Sequence, residues 1–370
     1  MSPDGVDAPS TASCAKKTVL STISEEASVT EISTIGLDLA KMVFQAHGAD
    51  ASGGVVFRKT LRRSKVLDFF RDQPCCVVAM EACGGAHYWA REISRLGHDV
   101  RLIPPIYVKP FVKRQKNDAS DAEAICEAAQ RPTMRFVAVK SEAAQASAAI
   151  FRTRDLLVRQ RTQLVNAIRG QLTEYGLVAA KGSANLPKLL GLVDEAGSAV
   201  PQGARAMLDV LAGMVTTLTD QIVELDREIA RRAKNEDVPA RLMTIPGIGP
   251  ITATAIAALA PPIETFRKGR DFAAWLGLTP VQRSTGGKQT LGATSKMGER
   301  TIRRLLIIGA AALVRQTSRR EPPAGSWLAR MLARKPRMLV ITALANKMAR
   351  TVWALLARNE VYRAPAVAAG

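Results

Sequence analysis

At 370 residues with 47% hydrophobic side chains, the chain is long enough for two or three domains and too apolar to be disordered outside its ends. A formal charge of +19 calls for a polyanionic partner, and between Val281 and Gly370 seventeen Lys and Arg face three acids (Glu299, Glu321, Glu360), so that stretch carries +14 of the total. Five cysteines without a C-x-x-C pair and three scattered histidines (His47, His87, His98) exclude a disulfide frame and a zinc site, and imply reduced, buried thiols.

Residues 1–30 read as a disordered leader, rich in Ser, Thr and acids and without the apolar segment of a signal peptide. The apolar helix expected from Leu305 to Val314 is too short to span a bilayer, so a cytoplasmic protein with no membrane partner is expected. Ile32 to Leu39, Met42 to His47 and Gly54 to Thr60 are strand-like runs with polar or Gly-rich turns between them. Ser64 to Asp72 reads as a helix. Cys75 to Met80 is an apolar strand ending at Glu81, and Gly84-Gly85 lead into a helix through Leu96. His98 to Ile103 is a further strand, and a helix opens at Asp118. Three strands, helix, strand, helix, strand, helix is the order of the ribonuclease-H-like α/β fold.

The acids fall where such a fold gathers them. Asp38 stands on the first strand, Glu81 at the end of the buried fourth, and Asp118 and Asp121 three residues apart on one helix face. Two such charges repel by about 4 kcal/mol at about 4 Å and an effective dielectric of about 20, so a fold that groups them usually adds a cation. Four carboxylates suit Mg²⁺, which takes oxygen ligands at ~2.0–2.1 Å. Each acid also has a plainer reading: Asp38 as a turn residue, Glu81 as a cap before the glycines, and the aspartates as complements to the helix dipole.

Glu142 to Gly176 carries Ile150, Leu157, Leu164, Ile168 and Leu172 on one face of a long helix. A broken Gly/Pro segment follows, to Gly203. Leu208, Leu211, Val215, Leu218, Ile222, Leu225 and Ile229 then alternate three- and four-residue steps, a coiled-coil seam opposite Asp220, Glu224, Arg227 and Arg231. An antiparallel hairpin within the chain and a dimer interface both satisfy it.

Ile245 to Ala253 (IPGIGPITA) is similar to a helix-hairpin-helix, in which Gly247 and Gly249 would let backbone N–H groups approach a phosphate; a purely structural hairpin is the alternative. Leu278 to Lys288, continuing to Gly298, is a polar, Gly-rich loop with Arg283 and Lys288 flanking Ser284, ahead of a basic helix from Glu299 to Gln316 that carries Arg303 and Arg304. Its spacing is not that of a Walker loop. It can cradle phosphate, with Lys296 further along, or present Ser284 as a nucleophile. Leu339 to Arg358 puts Ile341, Leu344, Met348, Val352 and Leu355 on a core face and leaves Lys347, Arg350 and Arg358 for nucleic acid.

Together, IGLDLAK with Asp38, AMEACGG with Glu81, KNDASDAEAI with Asp118 and Asp121, IPGIGPITA, and LTPVQRSTGGKQTLGATSKMG resemble the DEDD transposases of bacterial insertion sequences, the IS110 family. The resemblance runs from about Ile32 to Arg358. It implies a Holliday-resolvase-like N-terminal domain, a coiled-coil connection and a C-terminal domain with a catalytic serine. It implies Asp38, Glu81, Asp118 and Asp121 as Mg²⁺ ligands and Ser284 as nucleophile, with Thr285 and Ser295 second. The implied partners are donor and target DNA, a bridge RNA encoded by the element, and further copies of the chain in a dimer or tetramer. The corresponding divisions are a leader (1–30), the acid-bearing domain (31–140), a coiled-coil linker (141–235) and the C-terminal domain (236–365). The leader and a longer segment from Leu177 to Ala204 depart from the family pattern. A hydrolytic junction endonuclease and a non-catalytic nucleic-acid scaffold are the competing readings.

Overall fold

The computed structural model describes residues 31–113, 118–195 and 200–364, so the expected leader lies outside the described residues. The chain divides into two compact units, one ending at Ser141 and the other beginning at Glu142.

In the first unit β1 (Thr34–Asp38), β2 (Val43–Ala49) and β3 (Val55–Arg62) form an antiparallel meander. Helix α1 (Val66–Arg71), β4 (Val77–Glu81), α2 (Ala86–Arg95) and β5 (Asp99–Ile103) follow, then a short α3 (Pro105–Val108) and α4 (Asp118–Ala129). The five strands lie in the order β3-β2-β1-β4-β5, with β4 parallel to both β1 and β5. This mixed α/β arrangement is compatible with a ribonuclease-H-like fold.

Strand alternation decides which side chains meet which layer. Ile35 and Leu37 of β1, with Val78 and Met80 of β4, join a core with Phe70, Trp89 and Ile93 from α1 and α2. Ala79, on the opposite face, packs with Ile125, Ala128 and Ala129 of α4. By the same alternation Gly36, Asp38 and Glu81 belong to the α4 side. Cys76 and Cys126 are buried as expected, but Cys75 and Cys83 are exposed; both lie outside the strands, so the apolar run around Cys75 does not bury it.

Gly36 is the point where β1 touches α4. A Cβ there would stand 2.2 Å from the Ala122 carbonyl oxygen and 2.6 Å from the Cys126 nitrogen, both backbone atoms that cannot rotate aside. Gly36→Ala is therefore expected to destabilise the unit by about 3 kcal/mol, the range of core overpacking. It should also push the first turn of α4 off the sheet. An unchanged urea midpoint would contradict this close approach.

The second unit begins with α5 (Glu142–Glu174), α6 (Leu186–Glu195) and α7 (Gln202–Asn235). α5 and α7 form an antiparallel hairpin: Arg232 donates to Ser147 Oγ at 2.9 Å, and Arg154 reaches Asp226 (Nη2 to Oδ2, 3.1 Å). Leu208, Val215, Ile222 and Ile229 of the expected seam are buried, so α5 of the same chain fills it. The segment read as broken holds α6, whose Leu186, Leu189 and Val193 close one end of the hairpin core. Pro187 and Gly191 hid it, although proline is tolerated in a first turn, where its missing N–H has no partner to lose.

Beyond lie α8 (Asp237–Leu242), α9 (Pro250–Leu259), α10 (Gly269–Trp275), the strands β6 (Pro280–Gln282) and β7 (Leu291–Thr294), α11 (Arg300–Gln316), α12 (Trp327–Arg334) and α13 (Arg337–Arg358). Their core includes Ile256, Phe272, Leu306, Val340, Met348 and Val352, together with Phe151 and Ile229 from the long hairpin. α7 and α13 are long and apolar enough to cross a bilayer by length and composition, but α13 faces this core and α7 lays its seam on α5.

Candidate catalytic residues

Asp38 ends β1 and Glu81 ends β4, and the parallel register Leu37↔Met80 makes the two carboxylates neighbours at the C-terminal edge of the sheet. Ligand sites of open α/β sheets collect at that edge. Asp118 and Asp121 occupy the first turn of α4, which Gly36 brings against β1. One carboxylate oxygen from each of Asp38, Asp118 and Asp121 lies within 4.8 Å of the other two. Asp121 also acts on Glu81, so all four predicted acids share one electrostatic neighbourhood.

Burial, then repulsion from Asp121, Asp118 and Glu81, lifts the Asp38 carboxyl from its ordinary 3.8 to about 6, against one favourable contact from the Leu39 N–H. Glu81 is raised by burial and then by Asp121. A half-buried oxygen cluster whose members repel one another fits a hard divalent cation, which takes oxygen ligands and would cancel the repulsion. Cys83 borders the cluster: burial, Glu81 and Asp38 push its thiol up. Its position two residues after Glu81 was the only hint in the sequence.

The polar loop around Ser284 is a β-hairpin. β6 pairs antiparallel with β7, Arg283 N–H donates to Thr290 O at 2.8 Å, and Lys288 N–H donates to Thr285 O at 3.1 Å. Gly286 (φ 56°) and Gly287 (φ 77°) make the turn, both in the left-handed region that a tight two-residue hairpin turn requires. Ser284 is exposed close to this tip, between exposed Arg283 and Lys288. Gln282 Nε2 donates to its Oγ at 3.2 Å. Gln282 was missed because its relation to Ser284, two residues on along a strand, shows only once the segment is read as a strand.

The remaining predicted nucleic-acid residues divide by environment. Gly249 faces open space before α9, whereas Gly247 (φ 83°) lies on α11: a Cβ would sit 2.8 Å from Leu313 Cδ1 and 3.1 Å from Gly309 O. Lys296 is exposed and holds a left-handed backbone (φ 55°) at the root of the hairpin. Arg303 points inward, donating to Leu276 O at 3.0 Å and Met297 O at 2.7 Å. Arg304 pairs with Asp155 of α5. With these two arginines engaged inside the unit, the predicted cations that stay exposed are Arg283 and Lys288 on the hairpin and Lys296 at its root.

A family profile described as Transposase, that of the DEDD proteins of IS110 elements, matches residues 35–177. A second, described as Transposase IS116/IS110/IS902 family, matches residues 240–322. The chain is 51% identical to a probable family 20 transposase of Pseudomonas aeruginosa, over 90% of this chain and 99% of that one. It is 44% identical to the putative transposase y4pF/y4sB of Sinorhizobium fredii, over 91% and 87% of the two chains. With the transposase for insertion sequence element IS1328 of Yersinia enterocolitica it shares 39% identity, over 90% and 98%. With near full-length identity to named transposases and an acidic cluster inside the DEDD match, the chain belongs to the IS116/IS110/IS902 family of transposases, enzymes of DNA transposition that cut and rejoin strands.

Proposed function

We propose that this transposase recombines DNA through a covalent serine–DNA intermediate, with Mg²⁺ held by Asp38, Glu81, Asp118 and Asp121. The observation that carries the reading is the meeting of carboxylates from β1 and α4 within 4.8 Å. When bound, such a cation supplies positive charge to a scissile phosphate. Ser284 Oγ attacks phosphorus; the Oγ–P bond forms as the P–O3′ bond breaks. The serine proton passes to water and the departing 3′ oxygen takes one up, so the step releases no net proton. A 3′-hydroxyl of the partner strand reverses it, which conserves the phosphodiester and requires no nucleotide cofactor. Arg283 and Lys288 hold the phosphate oxygens, and Gln282 orients the serine hydroxyl.

In this reading residues 31–140 form a ribonuclease-H-like acid-bearing domain, 141–235 a coiled-coil linker and 236–365 the serine-bearing domain. A bridge RNA pairs with donor and target DNA, and the charge of +19 supports a polyanion of that size. The α8–α9 turn acts as a helix-hairpin-helix that meets phosphate at Gly249 and the N-terminus of α9. Copies of the chain assemble as a dimer or tetramer; exposed Val210, Met214 and Val223 on α7 support such contacts.

The test is to incubate the protein with end-labelled element DNA, its guide RNA and Mg²⁺, then denature and digest it. A nucleotide adduct on the peptide containing Ser284 is expected. Cleaved strands without any adduct would establish hydrolysis by water instead. Unchanged DNA in Mg²⁺ as in Ca²⁺ would leave only a binding scaffold.

A further inference from the structure

Tyr107, Pro110, Phe111, Arg131, Met134 and Arg135 line an open cleft of about 620 Å³ in the first unit. It adjoins the C-terminal end of α4, whereas the acidic cluster sits at the N-terminal end. Twelve helical residues at ~1.5 Å each put roughly 16–18 Å between the two. The cleft is therefore separate from the candidate catalytic residues.

Its composition is unlike the rest of the surface. Aromatic residues make up only 5% of the chain, yet Tyr107 keeps 42% of its surface exposed here and belongs to none of the hydrophobic clusters among the described residues. The Arg131 guanidinium lies over the Phe111 ring, 5.4 Å from its centroid, and Glu127 holds it there at 2.6 Å. Arg135 is exposed, as is Lys109 on the neighbouring turn. One residue on, Arg101 lies over the partly exposed Phe136 ring at 5.3 Å. Phe111 and Met134 pack on the core beneath and form the floor of the cleft, whereas Tyr107 stays exposed at its side.

We infer that this cleft binds an unpaired nucleotide of a single-stranded nucleic acid. The base stacks on Tyr107 and the Arg131–Phe111 pair, and Arg135 and Lys109 take the flanking phosphates. Aromatic faces and planar guanidinium groups recognise the π-face of any base, and nearby cations follow the backbone. A duplex hides its base faces and does not fit, and an apolar peptide gains nothing from the exposed cations. The inference rests on DNA transposition, during which strands are separated, and is independent of the Ser284 chemistry.

The full-length protein should be titrated in EDTA, so that no strand is cut, with labelled single-stranded DNA, single-stranded RNA and duplexes of the same sequence. Tyr107→Ala and Arg135→Ala are each expected to weaken single-strand binding roughly tenfold. Tyr107→Phe should restore it, with duplex binding and melting temperature unchanged. Whichever strand binds more tightly to wild type identifies the natural source. In Tyr107→Trp, a single strand should quench the added indole emission. Wild-type affinity in Tyr107→Ala, an equal loss for duplexes, or no added quenching in Tyr107→Trp each overturns the assignment.

Discussion

Ser284→Ala is expected to abolish strand cleavage and adduct formation together, by roughly 10⁴-fold or more, the scale of removing a catalytic nucleophile. Folding should be untouched. Ser284 is exposed near the tip of the β6–β7 hairpin, and its Oγ contact comes from the equally exposed Gln282. Surface substitutions of this kind stay within about 0.5 kcal/mol. The pairing of a large kinetic loss with an unchanged melting curve is what separates a reacting hydroxyl from a structural one. Cleavage that persists in Ser284→Ala without an adduct would assign the attack to water. An adduct that persists and then vanishes in Thr285→Ala would move the nucleophile one residue along the turn.

Asp38→Asn is expected to destroy activity while making the metal-free protein more stable, a reversal of the usual cost of mutation. Asp38 titrates at about 6 in the fold and near 3.8 when unfolded, because burial and the carboxylates of Asp121, Asp118 and Glu81 oppose its charge. Between those values the folded state binds the extra proton, so stability falls as pH rises through that window and the full penalty stands above it. The shift corresponds to about 3 kcal/mol at most, and half-exposure of the group reduces this to about 1–2 kcal/mol. In EDTA at pH 8, Asp38→Asn should therefore melt above wild type, and at pH 4 the two should nearly coincide. Adding Mg²⁺ should reverse the order, because ligand binding stabilises wild type through an oxygen set that the variant lacks. Equal melting temperatures at pH 8 in EDTA, with equal responses to Mg²⁺, would remove Asp38 from the cluster.

Much of the first unit was readable from the chain, since β4 and β1 are apolar runs and the buried strands of a covered sheet announce themselves that way. The grouping of the acids was suggested by their places at strand ends and on one helix face, although each alone also read as a turn or cap residue; the fold brings Asp38, Asp118 and Asp121 together. α7 showed itself through a seven-residue repeat, but the repeat could not say whether α5 or another copy would fill it. The β6–β7 hairpin escaped for a physical reason. Its strands are short, largely exposed and have little apolar alternation, and Gly286-Gly287 counted only toward a Gly-rich loop, whereas its use is a tight turn. Arg303 and Arg304 escaped differently. A basic helix looks the same in sequence whether its cations face phosphate or, as here, the Leu276 carbonyl and Asp155. The cleft beside Tyr107 left no periodic trace, because its parts come from the end of α3, the turn after it and the segment beyond α4.

At Gly36 β1 presents no side chain to α4, so the span from Asp38 to the helix is gauged largely by main-chain contact with Ala122 and Cys126. Exchanges among leucine, methionine and valine in the neighbouring apolar layers would leave that gauge unaltered. Drift in the interior is thereby uncoupled from the dimensions of the carboxylate aperture, and admitting a larger ion would demand movement of a whole helix.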